Sequence, residues 1–121
     1  MLLQIQERHV EPDITVLDLA GKLALGRESQ RIETLVDELA KKAARKVIFD
    51  MTKVDYIDSA GIGLLALASG KIKDSGGKLI VVTGPGRVRD MLKLTQMVQV
   101  VTVSGAIAEA EAMLGGTSAA G

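Results

Sequence analysis

The chain has 121 residues, 15 basic and 15 acidic side chains, no cysteine, and 47% hydrophobic residues. Charges that cancel argue against nucleic acid or an anionic membrane as partner, and the missing cysteines exclude disulfides, thiolate metal sites and a cysteine nucleophile. The length suits one soluble domain with a single core, expected in the cytoplasm and without membrane insertion, because no window approaches the ~18 uninterrupted apolar residues of a span and the N-terminus lacks a signal-peptide layout.

Residues 2–10 alternate loosely between polar and apolar, and Glu11-Pro12-Asp13 reads as a turn into a β-rich run, ITVLDLA, at 14–20. These two segments predict an antiparallel pair, followed by a loop over GKLALG at 21–26. Ile32, Leu35, Val36, Leu39, Ala40 and Ala43 then follow the 3.6-residue period of an amphipathic helix. On its wet side, Asp37–Lys41 and Glu38–Lys42 are spaced for i,i+4 ion pairs worth about 0.3 kcal/mol each. KVIFDM at 46–51 predicts a buried parallel strand, with 52–58 as its connection to a helix over 59–74 that stops at Gly76-Gly77. KLIVVT (78–83) predicts the next strand, Gly84-Pro85-Gly86 a turn, and 87–94 a short helix. A last strand is expected at 99–103, a last helix at 106–114, and a flexible tail over 115–121, GGTSAAG. The expected fold class is therefore α/β, one domain over residues 1–114 in the order β-β-α-β-α-β-α-β-α. Its mixed, mostly parallel sheet would have about five strands, one of them an antiparallel edge, and about four helices.

Few residues can carry chemistry. With His9 as the one histidine, both a zinc site and a serine hydrolase would have to rest on it. It lies in the first alternation beside Arg8, an ordinary exposed strand position, so no catalytic or metal-ligating residue and no cofactor is expected. Phe49 and Tyr56 are the two aromatic residues, too few to build a stacking platform for bases.

The segment YIDSAGIGLLALA (56–68) draws the most attention. Ser59 stands where the chain enters a helix, a good N-cap or first-turn position. Gly61 and Gly63 each cost that helix about 1 kcal/mol relative to alanine, which calls for a close approach by backbone, ligand or another protein. As a nucleophile Ser59 lacks the glycine two residues earlier that the elbow pattern needs; Ile57 stands there. A phosphorylated Ser59 fits better: a helix start tolerates the added charge of about −1.5 to −2, while Asp55, Asp58 and Asp50 nearby would oppose it. Asp50 and Asp58 otherwise read as loop hydrogen-bonding groups, with Asp58 also orienting whatever meets Ser59. Gly84-Pro85-Gly86 fails the G-x-G-x-x-G pattern, since Arg89 occupies the sixth position, and reads as a plain turn with Arg87 and Arg89 solvated. A small-ligand or nucleotide sensor using this loop stays open as an alternative.

VIFDMTKVDYIDSAGIGLL (47–65) resembles the signature of STAS domains, specifically the anti-sigma factor antagonist family, in which a hydrophobic strand ending in Asp leads to D-S-x-G-[LI]-G. The resemblance continues through GGKLIVVTGPGRVRDMLKLTQMVQVV (76–101) and covers nearly the whole chain. It implies a small bacterial switch rather than an enzyme. In that family the serine matching Ser59 is phosphorylated by an anti-sigma factor that is a serine kinase of the GHKL ATPase type. The unphosphorylated antagonist binds that kinase and frees the sigma factor, and a phosphoserine phosphatase restores it. The resemblance places Asp50, Asp55, Asp58, Ser59, Ala60, Gly61, Ile62 and Gly63 at the partner surface, and leaves a weak homodimer open. A constitutive STAS scaffold in a stress-signalling or transport complex is the other family role. One departure stands out: Gly21-Lys22-Leu23-Ala24 replaces the Gly-Glu-Leu-Asp that the family often shows after its second strand.

Overall fold

Two alternating runs open the structure and pair: β1 (Gln4–Val10) lies antiparallel to β2 (Ile14–Leu23), with Val10 opposite Ile14 and Gln4 opposite Ala20. The structure, a computed structural model, describes residues 3–24, 26–42 and 44–115, with the backbone alone for Arg27 and Glu28. The expectations for Leu2, Ala43 and residues 116–121 of the tail lie outside the described residues. The further elements are α1 (Arg27–Lys41), β3 (Lys46–Ile57), α2 (Ser59–Asp74), β4 (Lys78–Val82), α3 (Arg87–Leu94), a 3₁₀ turn (Met97–Gln99), β5 (Thr102–Ser104) and α4 (Ile107–Met113). The expected element order and the α/β class are both present. The sheet runs β1-β2-β3-β4-β5, antiparallel at β1 and parallel elsewhere.

Strand alternation splits the core between the two faces of this sheet. Leu17, Leu19, Val47, Phe49, Leu79 and Val81 pack with Ile32, Val36 and Leu39 of α1, with α2, and with Val88 and Leu92 of α3. Ile14, Val16, Ile48, Ile80 and Val82 pack under Ala110 of α4 on the other side. Because β2 to β5 follow one another in space as in sequence, crossovers of one hand lay α1, α2 and α3 on one face. The helix after the last strand is not bound by that rule and covers the opposite face.

Three boundaries differ from the sequence expectation. β2 continues through Gly21 to Leu23, and the presumed connection at 52–57 is the second half of β3. Opposite Asp18 and Ala20 stand Asp50 and Lys53, and opposite Gly21 and Lys22 stand Val54 and Tyr56. Two extra residues are therefore bulged out of β3, and the buried positions fall at Met51, Val54 and Ile57, three apart. A period of three is not a strand signal, which is why TKVDYI reads as a loop. The last strand is also shorter and later than expected, since residues 97–99 form the 3₁₀ turn.

The i,i+4 pairs expected on α1 do not form among the described residues. Asp37 Oδ1 instead accepts a hydrogen bond from Lys71 Nζ of α2 at 2.5 Å, because α1 and α2 pack side by side. α2 itself contains Gly61, Gly63 and Gly70, together costing about 3 kcal/mol of helix propensity. Buried Leu64, Leu65 and Ile72 offset this at about 1.5–3 kcal/mol each, so packing rather than propensity holds the helix. Gly76, at φ +92, adopts the left-handed conformation that ends it.

Candidate partner-binding and modification site

The start of α2 is built by three adjacent residues with different duties. Ile57 is buried at the end of β3 and anchors the strand. Asp58 is the N-cap: its backbone is extended (φ −113, ψ −175) and its Oδ1 accepts a hydrogen bond from the Gly61 N–H at 2.8 Å. A carboxylate there also faces the positive end of the helix. Ser59 follows as the first helical residue, exposed, and its hydroxyl makes no hydrogen bond among the described residues. Capping, one of the two duties open to Ser59 from sequence, is thus performed by Asp58.

The two glycines separate in the same way. A Cβ at Gly61 would lie 2.1 Å from the Leu23 carbonyl oxygen, so this glycine lets the helix settle against the end of β2. A Cβ at Gly63 or Gly70 would meet nothing within 4 Å. Those two leave the outer face of α2 low and smooth instead. At helical spacing the exposed residues are Ser59, Ala60, Gly63, Leu67 and Gly70, an uncharged stripe along the first three turns. Leu67, 41% exposed, is the one large apolar side chain on it. Sequence reading missed Leu67, although its place two turns from Ser59 on the face of Ala60 and Gly63 was legible from the period. Ile62 turns partly inward and packs against the core.

Tyr56 stands exposed just before the site, with Lys22 Nζ 5.7 Å from its ring centroid. The two residues are opposite each other in the β2–β3 register, so this cation–π contact, worth about 0.5–1 kcal/mol at an exposed site, adds to the pairing of the ribbon that carries the serine. It also gives a structural duty to Lys22, one of the residues that depart from the family pattern.

The eight residues expected at the partner surface are not all brought together. Asp58, Ser59, Ala60, Gly61, Ile62 and Gly63 form one turn and a half. Asp55, exposed, lies with Thr83, Gly84, Pro85, Gly86 and Arg87 along a groove beside α3. Asp50 is remote. It shares the parity of Ile48 and so faces the side of the sheet covered by α4, roughly 20 Å of strand away from the helix start. There its Oδ1 accepts from both the Thr52 N–H (3.1 Å) and hydroxyl (2.8 Å), and Arg8 stands 4.0 Å from its Oδ2. The sequence assigns Asp50 a loop hydrogen-bonding duty; the residue it holds, Thr52, lies instead in the same strand. Arg8 also donates to Asp18 at 2.7 Å, and this bond raises its already high pKa. The guanidinium thereby relieves two carboxylates placed directly opposite across β2 and β3.

His9, exposed on β1 and 3.0 Å from Glu7 Oε2, pairs with Thr15, which pairs with Val47 at the far end of β3 from Ile57. About 30 Å of strand separates that level from Ser59, so the histidine cannot serve the serine as a base.

The family model for the STAS domain matches residues 6–110. The chain belongs to the STAS domain family. This STAS domain is 28% identical over 79 residues to a candidate anti-sigma factor antagonist, BtrV, of Bordetella bronchiseptica, covering 63% of this chain and 68% of that protein. Among solved structures, a candidate anti-sigma factor antagonist from Thermotoga maritima superposes with a TM-score of 0.81 at 24% identity, over 91% of this chain and 93% of that one. The Bacillus cell fate determinant SpoIIAA in its phosphorylated form superposes with a TM-score of 0.69 at 18% identity, over 88% of this chain and 96% of that one. At these identities the superpositions establish the fold.

Proposed function

We propose that this STAS domain is an anti-sigma factor antagonist whose binding surface is the start of α2 and whose switch is phosphorylation of Ser59. The observation that carries the reading is the division of labour at the helix start: Asp58 caps, and Ser59 is left exposed with an uncommitted hydroxyl. A serine kept only as a cap would be occupied, so the constitutive-scaffold reading is the weaker one. The likeness to BtrV and to SpoIIAA, a protein solved in a phosphorylated form, supports the same role.

In this mechanism the unphosphorylated domain presents Ser59, Ala60, Gly63 and Leu67 as a low, uncharged face to an anti-sigma factor that is also a serine kinase of the GHKL ATPase type. Binding frees the sigma factor. Transfer of a phosphoryl group to Ser59 places about −1.5 to −2 charge on that face. The N–H groups at the start of α2 tolerate the charge, so the fold persists. The partner surface does not tolerate it: a desolvated charge mismatch of about 4 kcal/mol lowers affinity about a thousandfold. A phosphoserine phosphatase then resets the switch. The domain acts as a binding module and as the kinase's substrate, and needs no catalytic group of its own.

Incubation with ATP and the cognate kinase, followed by mass spectrometry, is expected to find phosphate on Ser59; phosphate only elsewhere, or none, would sink the proposal. Calorimetry should show Ser59→Ala binding the kinase as the wild type does and Ser59→Asp binding it far more weakly. Equal affinities of the two variants would remove the charge switch.

A further inference from the structure

A groove of about 260 Å³ runs between the second half of β3 and the start of α3, lined by Thr52, Asp55, Thr83, Gly84, Gly86 and Arg87 among others. Thr83, at the end of β4, is 4% exposed, and its hydroxyl makes no hydrogen bond among the described residues. That hydroxyl is not sealed in the core either, because among the described residues no fully buried side-chain oxygen lacks a partner. What little of Thr83 reaches solvent therefore includes its idle hydroxyl, and Thr83 is one of the residues that line the groove.

The same groove receives an uncapped helix. α3 has eight residues, its N-cap is Gly86, and no side chain caps it. Its first backbone bond runs from the Asp90 N–H to the Gly86 carbonyl at 2.9 Å, which leaves the N–H groups of the first turn without intrahelical acceptors. A Cβ at Gly84 or Gly86 would meet nothing within 4 Å, so space is left open over those donors. The exposed Arg87 guanidinium adds a cation at the rim, while Asp55 offers a hydrogen-bond acceptor along the same groove. The Thr52 hydroxyl is already held by Asp50.

We propose that this groove binds a phosphate monoester of a small polyhydroxy compound, with the phosphate on the Thr83 hydroxyl and the free N–H groups of α3 and the ligand's hydroxyls on Asp55. Donors at a helix start, a neighbouring hydroxyl and an arginine suit a doubly charged oxyanion. Asp55 repels a bare phosphate and rewards one that carries hydroxyl donors beyond it. The volume lies below the ~300–1,000 Å³ of pockets that enclose drug-sized ligands, which favours a short carbon skeleton. The site does not use Ser59 and stands or falls apart from the antagonist role.

Titration of the full chain with inorganic phosphate, glycerol 3-phosphate and glycerol, at ionic strength held constant with chloride, tests it through backbone amide shifts. Saturable shifts confined to residues 83–90 are expected with phosphate, and to residues 52–55 and 83–90 with glycerol 3-phosphate, which should bind several-fold more tightly. Thr83→Val, which keeps the β-branched shape, should weaken both about tenfold, the loss of one hydrogen bond to a charged group. Gly84→Ala should weaken both while leaving the melting temperature in place, and Asp55→Asn should tighten phosphate and erase the preference for the ester. Shifts that chloride reproduces, or equal affinities of wild type and Thr83→Val, would overturn the site. Equal affinities of wild type for phosphate and glycerol 3-phosphate would overturn the role of Asp55 and the polyhydroxy ligand.

Discussion

Gly61 and the Leu23 carbonyl are in backbone-to-backbone contact: a Cβ on Gly61 would lie 2.1 Å from that oxygen and 2.9 Å from Ile57 Cγ1. Leu23 and Ile57 are themselves paired across β2 and β3, so neither wall of this contact can retreat cheaply. Gly61→Ala gains about 1 kcal/mol of helix propensity and loses more to the forced shift, a cost of about 1–3 kcal/mol or above. The expected outcome in urea unfolding is a net loss of stability. Gly63→Ala meets no neighbour and is expected to gain up to about 1 kcal/mol. If both substitutions stabilise, the contact described for Gly61 is wrong.

The cap and Ser59 separate in the same experiment. Asp58→Ala removes the acceptor for the Gly61 N–H and should cost about 1 kcal/mol. Ser59→Ala removes nothing that the fold uses and should stay within about 0.5 kcal/mol of the wild type. The reverse order of losses would assign the capping to Ser59.

The position of Asp50 on the α4 face makes a binding prediction. On the proposed antagonist role, Asp50→Ala should leave affinity for the anti-sigma factor unchanged, whereas Leu67→Glu should lower it at least tenfold, because one desolvated charge on the α2 stripe costs about 2 kcal/mol or more. Both variants are checked for folding by circular dichroism before titration. A strong loss in Asp50→Ala with Leu67→Glu unaffected would move the binding surface to the other side of the sheet.

Acid sensitivity should trace in part to Glu109 in the first turn of α4. Its Oε1 accepts from the Ser104 hydroxyl at 2.6 Å and the Gly105 N–H at 3.2 Å, and these bonds, the hydroxyl's foremost, hold its pKa below the ordinary 4.5. A depressed folded-state pKa means that the ionised form stabilises the fold above the ordinary value and that this contribution fades as the pH falls through the folded-state value. Glu109→Gln should therefore melt below the wild type at neutral pH, with the gap closing as the pH falls below the ordinary 4.5 and through the depressed folded-state value. A gap that stays constant with pH would show that ionisation of Glu109 is not what matters.

The helices and the buried halves of the strands were legible because their periods are regular: Ile32, Val36 and Leu39 on α1, or Val47 and Phe49 against Ile48 on β3. The second half of β3 was not, because two bulges set Met51, Val54 and Ile57 three apart and hide a strand in a turn-like string. That misreading also brought Asp50 too close to Ser59: a connection can fold back, whereas a strand carries its residues away. Between Asp58 and Ser59, either residue type can cap, and only the register of the Gly61 N–H decides. Thr83 was invisible for a different reason, since an idle hydroxyl is a property of its surroundings.

β4 pairs with β3 only from Lys46 to Asp50, so the stretch that leads to the serine is hydrogen-bonded in the sheet on the β2 side alone. A ribbon held on one edge opens at lower free energy than the strands it extends. Amide exchange with deuterium should accordingly run faster at residues 52–57 than at 46–50 of the same strand. The end that carries Ser59 can then breathe while the sheet beneath keeps its protons.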